Sequence, residues 1–338
     1  MKSTFQIERT FPGDDNFHQF EGLIHQLYDA QSIRHQQPAS TASEHLNTCF
    51  IVKHESSTRA RAALYLNPNL TYLDKKCACI GSYESPDDPE ISSYLIEHIK
   101  AEAKELGAEY LIGPMEGSTW NSYRYSEHNE HPNFFAEPFH HIYYNEHFVH
   151  NGFEKIASYS SNLDNGMESS EIDIVQLENH YIEKGVHLRK IDLNNYEEEL
   201  INICNFSLEA FKRNFLFTPI LPEKFAEKYL PLQALLNPDF IWIAEDLSGE
   251  MAGLVFCLDN LNDTKSKTLI VKTLARAADS NFKGLGNLLL AKVVLLAKQR
   301  GYRSIIHAFM MQQNTSNVLS EKYAGKPYKS YALYGTNL

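Results

Sequence analysis

Residues 268–300 constrain the fold more than any other stretch, because a β-type run breaks at two closely spaced glycines and continues as a long helix with one apolar face. Leu269, Val271, Thr273 and Ala275 alternate onto one face of the expected strand, and Leu285, Leu288, Leu289, Lys292, Val293 and Leu296 recur at helical spacing. Gly284 and Gly286 stand at the junction, where a missing Cβ lets a ligand come close to the backbone. The first N–H groups of a helix lack intrahelical acceptors and lie at the positive end of its dipole, so this junction suits phosphate. Lys283 adds a cation.

Glycines spaced G-x-G also serve plain turns, so the flanking pattern has to discriminate. A dinucleotide-binding turn needs a third glycine where Leu289 stands, and a Walker loop needs Lys and Ser/Thr where Asn287 and Leu288 stand. The stretch Asn281-Phe282-Lys283-Gly284-Leu285-Gly286 instead resembles motif A of the GCN5-related N-acetyltransferases, [QR]-x-x-G-x-[GA], with Asn281 replacing the leading Gln or Arg. Residues 302–309 read as the next strand, and residues 313–325 resemble the family's motif B, a helix that runs from Asn314 through Asn317 and Tyr323 to Gly325. Residues 328–334 alternate like a closing strand.

The resemblance implies acetyl-CoA as acyl donor, with its pyrophosphate on the loop at Asn281, Phe282, Lys283, Gly284, Leu285, Gly286 and Asn287. It places the acetyl group against the backbone of Leu274 and Ala275 and the pantetheine arm against Asn314, and Asn317 is counted among the cofactor-binding residues. It makes Tyr323 the acid that protonates the departing thiolate. Residue type alone leaves Asn314 open to a helix-cap role and Tyr323 to a core role. The family often places a Glu base on the motif A strand, which here has none. His307 on the following strand and Glu245 on an earlier one are the candidate bases.

The second half reads β-α-α-β-β-β-α-β-α-β, the acetyltransferase order, and the first half repeats it in a weaker form. In that copy residues 83–89 replace the glycine turn with three acids, which repel a pyrophosphate. The expectation is therefore an α/β chain with mixed sheets, two tandem acyltransferase folds: a degenerate, substrate-facing copy over 1–185 and an acetyl-CoA-binding copy over 186–338. The boundary is set in the polar run 163–185. Division after Gly185 gives 13 Lys/Arg against 28 Asp/Glu, then 18 against 15, so the acidity falls in the first half.

Without a basic stripe, nucleic acid is not an expected partner. No apolar run of membrane length and no signal segment occur, and five cysteines without a pairing pattern favour a reducing cytoplasm. His128, His131, His140, His141, His147 and His150 crowd one region without thiolates, and no metal is expected there. The acceptor is read only as an amine, on a small molecule or on a protein or peptide, and oligomeric state is not legible. Related tandem folds also use long-chain acyl-CoA or aminoacyl-tRNA, and a non-catalytic CoA-binding role is the third alternative.

Overall fold

The computed structural model describes residues 5–30, 32, 41–168, 170–263, 265–311 and 325–338. Contacts group the chain into two compact units: residues 1–158, 215–218 and 330–338 form the first, and residues 159–214 and 219–329 the second.

The first unit contains β1 (Phe5–Thr10), α1 (Phe17–Gly22), α2 (Ile24–Leu27), β2 (Leu46–His54), β3 (Ser57–Tyr65), β4 (Lys75–Glu84), α3 (Pro89–Glu105), β5 (Tyr110–Gly113) and α4 (Tyr144–His150). Its sheet runs β1-β2-β3-β4-β5, antiparallel except for β4 beside β5. Helix α3 starts sharply because the Asp88 carboxylate accepts the N–H groups of Glu90 and Ile91, and Pro89 needs no acceptor. It buries Ile91, Leu95, Ile96, Ile99 and Ala103.

The second unit continues with β6 (Glu154–Asp164), α5 (Glu171–Glu183), β7 (His187–Lys190), α6 (Tyr196–Phe211), α7 (Pro222–Tyr229), β8 (Ile241–Glu245), β9 (Met251–Asp259), β10 (Thr268–Arg276), α8 (Leu285–Gln299) and β11 (Ser304–Met311). Its strand order is β7-β8-β9-β10-β11-β6, and only β10 beside β11 is parallel. The last strand of the chain, β12 (Lys326–Asn337), pairs through Tyr334 and Asn337 with Gly113 and Tyr110 of β5, in the first unit.

A single cut after Gly185 therefore does not describe the division. Strand β6 follows the N-terminal elements yet pairs with β11, and β12 follows the C-terminal elements yet pairs with β5. Most of the polar run 163–185, in which the boundary is expected, is helix α5, capped by Ser170, with Ile174 and Tyr181 buried. Charge redistributes accordingly: the first unit has 12 Lys/Arg against 22 Asp/Glu, the second 19 against 21. The second unit is close to neutral rather than basic.

Helix α8 covers one face of the second sheet. Leu285, Leu288, Leu289, Val293 and Val294 are buried against Val255, Cys257, Leu269, Val271 and Ile305, each large aliphatic contributing about 1.5–3 kcal/mol. The alternate residues Leu254, Phe256, Ile270 and Ile306 are buried as well. Helix α6 packs on β9 and β10 and supplies their cover on the opposite face. Among the described residues no helix is long and apolar enough to cross a membrane, and no group of three metal-ligating side chains occurs. All five cysteines are free and buried.

Candidate active site

The glycine junction folds as the sequence suggests, with fewer available donors. After β10, Asp279 caps a short 3-10 turn, Ser280–Phe282, by accepting the Asn281 N–H at 2.8 Å. The N–H groups of Phe282 and Lys283 donate to Asp279 and Ser280 carbonyls, and that of Asn287 to Gly284 O. The amides of Asn281, Phe282, Lys283 and Asn287 are thus engaged internally, a correction to the set expected to hold an anion. Among the described residues no acceptor receives the N–H groups of Gly284, Leu285 and Gly286.

The two glycines have different reasons to be glycine. Gly284 is the N-cap of α8 at φ 98°, in the left-handed region, and makes no side-chain cap; a Cβ there would lie 3.0 Å from the Tyr181 hydroxyl. At Gly286 a Cβ would meet nothing closer than Leu274 at 3.9 Å among the described residues, so packing against them does not require glycine.

Helix α5 holds this loop from the side. The Tyr181 hydroxyl donates to Lys283 O at 2.8 Å, Lys184 Nζ reaches Asn281 O at 3.3 Å, and Lys292 of α8 pairs with Glu178 at 2.7 Å. Arg276 Nη1 donates to the carbonyls of Ala277 and Asp279. Lys184, Arg276 and Lys283 are all exposed beside the free amides, and Asp279 is the acid among them. An anion at this turn would meet three main-chain donors, with Lys283 in the loop itself and Lys184 and Arg276 bonded to its carbonyls.

Strands β10 and β11 are paired from Thr268 and Ser304 to Val271 and His307. Beyond that pair β10 runs on to Arg276 and β11 to Met311, so residues 272–276 of β10 have no β11 partner among the described residues. Leu274 and Ala275 lie on this unpaired stretch, held on the other side by Val255 and Leu254 of β9. The fold thus brings Leu274, Ala275, Gly284, Leu285 and Gly286 to one end of one strand pair.

His307 sits at the last pair. Its Nε2 is buried with no hydrogen-bond partner among the described residues, and burial pushes its pKa down to about 4. It is neutral at pH 7 and a weak base there. Glu245 is not brought to the site: it ends β8, with β9 between it and β10, and Arg189 Nε binds its carboxylate at 2.6 Å. The same guanidinium holds both oxygens of the buried Glu199, which also accepts the Asp192 N–H. Replacement of Glu245 by Gln is expected to lower stability by about 1 kcal/mol and to leave acyl-transfer turnover within about twofold, measured by denaturant unfolding and thiol release. A loss of turnover comparable to that on removal of a general base, on the order of 100-fold or more, would return Glu245 to the site. Asn314, Asn317 and Tyr323 lie outside the described residues.

The matching place in the first unit is closed. Asp88 already occupies the first free amides of α3. Strand β4 stays in contact with the chain after β5: Met115 N donates to Ile80 O at 2.8 Å, and a Cβ at Gly81 would come within 2.8 Å of Glu116 Cγ and Met115 O. At the end of β4 the Glu84 carboxylate accepts hydroxyls from Tyr28 and Tyr144 at 2.8 and 2.7 Å, with Arg61 3.9 Å away. Burial raises the pKa of Glu84, against the pull of Arg61 and the two tyrosines.

No family model matches the sequence. A bacterial ceramide synthase of Caulobacter vibrioides (strain NA1000 / CB15N) is 30% identical over 89 residues, which make up 25% of this chain and 23% of that protein. Among solved structures, a tandem GNAT protein from the clavulanic acid biosynthesis pathway superposes with TM-score 0.55 at 10% identity, over 99% of this chain and 98% of that one. A GCN5-related N-acetyltransferase from Sphaerobacter thermophilus gives 0.53 at 11% identity, over 98% and 95%. A GCN5-related glucosamine N-acetyltransferase region of a fungal β-N-acetylglucosaminidase gives 0.57 at 13%; this chain covers 38% of that protein's length. At these identities the likeness bears on architecture alone, and it agrees with the strand order, the parallel β10/β11 pair and the glycine turn: this chain has the GCN5-related N-acetyltransferase fold.

Proposed function

We infer that the protein transfers an acyl group from a coenzyme A thioester to an amine, with acetyl-CoA as the first donor to test. The observation that carries this reading is the N-terminus of α8, where, among the described residues, three main-chain donors have no acceptor and one glycine is not required by packing. A diphosphate laid on those amides is neutralised by Lys184, Arg276 and Lys283. Its pantetheine arm then follows the unpaired edge of β10 past Leu274 and Ala275, where main-chain N–H groups stabilise the oxyanion formed when the amine attacks. Asn314, Asn317 and Tyr323 complete the scheme as arm contacts and as the acid for the leaving thiolate.

Much of the rate comes from holding thioester and amine together, for which effective molarities reach about 10⁵ M or more. Both units carry net negative charge, which disfavours an aminoacyl-tRNA donor. A longer acyl-CoA is the second reading, favoured by the 89-residue match to a ceramide synthase. Calorimetric titration with acetyl-CoA and palmitoyl-CoA, then thiol release with polyamines, amino sugars, lysine peptides and a long-chain amino alcohol, tests the reading. Saturable binding of one thioester and release with one of these amines are expected. Absence of binding by both donors sinks the assignment; binding without release to any acceptor leaves a non-catalytic CoA-binding protein. A cytoplasmic location belongs to the same proposal.

A further inference from the structure

The transferase reading lacks a base, since His307 is weakly basic and Glu245 is held by Arg189. Lys272 is the first residue of β10 beyond the last pair with β11, and it sits at a bulge: Phe256 and Cys257 of β9 face Thr273 and Val271, so Lys272 is the extra residue. Its side chain reaches α7, which packs on α6, the helix that covers β9 and β10 on the face away from α8. There its ammonium is 3.0 Å from the hydroxyl of Tyr229, the last residue of α7, and 4.5 Å from the centre of that ring. Both side chains are half-buried. Among the described residues no carboxylate lies within ion-pair distance of Lys272.

We propose that Tyr229, held and polarised by Lys272 at the base of the β10/β11 opening, is the catalytic base of acyl transfer, in place of the strand carboxylate this chain lacks. The proposal rests on the transferase reading above. As the amine nitrogen bonds to the thioester carbon and the C–S bond breaks, the nitrogen gives its proton to the Tyr229 phenolate. The sulfur leaves as thiolate and takes a proton from solvent, and the Tyr229 phenol returns its proton to solvent, so amine and thioester become amide and thiol. Lys272 is a positioning residue, acting through Tyr229.

The surroundings support this assignment. Burial pushes the Tyr229 phenol up, but the charge and hydrogen bond of Lys272, with Lys228, outweigh it and hold the phenol below its usual value; Cys204 opposes weakly. Tyr196 of α6 donates its hydroxyl to the Tyr229 carbonyl, and burial, then the charge of a Tyr229 phenolate, raise the Tyr196 phenol in turn. Burial instead raises Tyr65, Tyr125, Tyr144, Tyr196 and Tyr302. A base serves best when its pKa approaches the working pH, which is the direction of this shift.

The test combines ultraviolet titration of tyrosinate with the pH profile of kcat/KM, for acetyl-CoA and the amine that releases thiol fastest. The difference spectrum between the unaltered protein and Tyr229→Phe should show one phenol ionising below pH 10. Lys272→Met should move that step, and the rising limb of kcat/KM with it, to higher pH; Lys272→Arg should restore both. Turnover in Tyr229→Phe should fall about 100-fold or more, with acetyl-CoA binding retained. A phenol step that Lys272→Met does not move, or turnover in Tyr229→Phe within about threefold of the original, overturns the role. If the unaltered protein transfers to no amine, the transferase reading fails first, and this role with it, whatever the titration shows.

Discussion

Gly286→Ala is expected to weaken acetyl-CoA binding by about tenfold or more while leaving the thermal midpoint unchanged or slightly raised. Among the described residues the added methyl group finds no atom closer than 3.9 Å, and alanine is the better helix residue by up to about 1 kcal/mol. Against a bound diphosphate the same methyl displaces an oxygen from its N–H donors. A lost charge-assisted hydrogen bond of about 1.5–3 kcal/mol corresponds to a roughly ten- to hundredfold change in affinity. Gly284→Ala is the contrasting control, because φ 98° and the Tyr181 hydroxyl make it costly to the fold itself. Calorimetry and thermal melts on both variants separate the two glycines. Unchanged affinity in Gly286→Ala would mean that the anion does not lie on this turn.

The second large effect concerns acid. Folding depresses the pKa of His307 from 6.5 to about 4, so the folded state favours the neutral ring. The sign follows: its contribution is intact above the unfolded pKa, and stability falls as pH drops from 6.5 through 4, because the unfolded chain binds the proton more tightly. The loss amounts to ~3 kcal/mol at full extent. His307→Gln should remove that part of the pH dependence, so the unfolding free energies of the two proteins should converge or cross between pH 7 and pH 4. Parallel curves, or an NMR titration of the His307 ring near 6.5, would refute the depressed value.

Local features were the legible ones. The strand, glycine turn and helix of 268–300 are where spacing places them. Helix α5 was missed because its apolar residues mislead: Ile172, Val175 and Ile182 are exposed, and only Ile174 and Tyr181 are buried. The exchanged strands have no local signal, since pairing between β5 and β12 joins residues far apart in sequence. At the site, the free amides could be placed to a turn but not counted, because Asp279 decides which are already engaged. Glu245 looked available until Arg189, 56 residues away, was brought beside it, and Tyr229 carried no signal before folding placed it next to Lys272, 43 residues on.

The strand exchange also sets when each unit can finish forming during synthesis. Residues 1–158 emerge from the ribosome first, yet β5 has no neighbour on one flank until residues 330–338 have been made. Until then that flank of β5 lacks the strand that pairs with it in the finished fold, and an unpaired strand edge is where other strands add. The unit begun first is closed last.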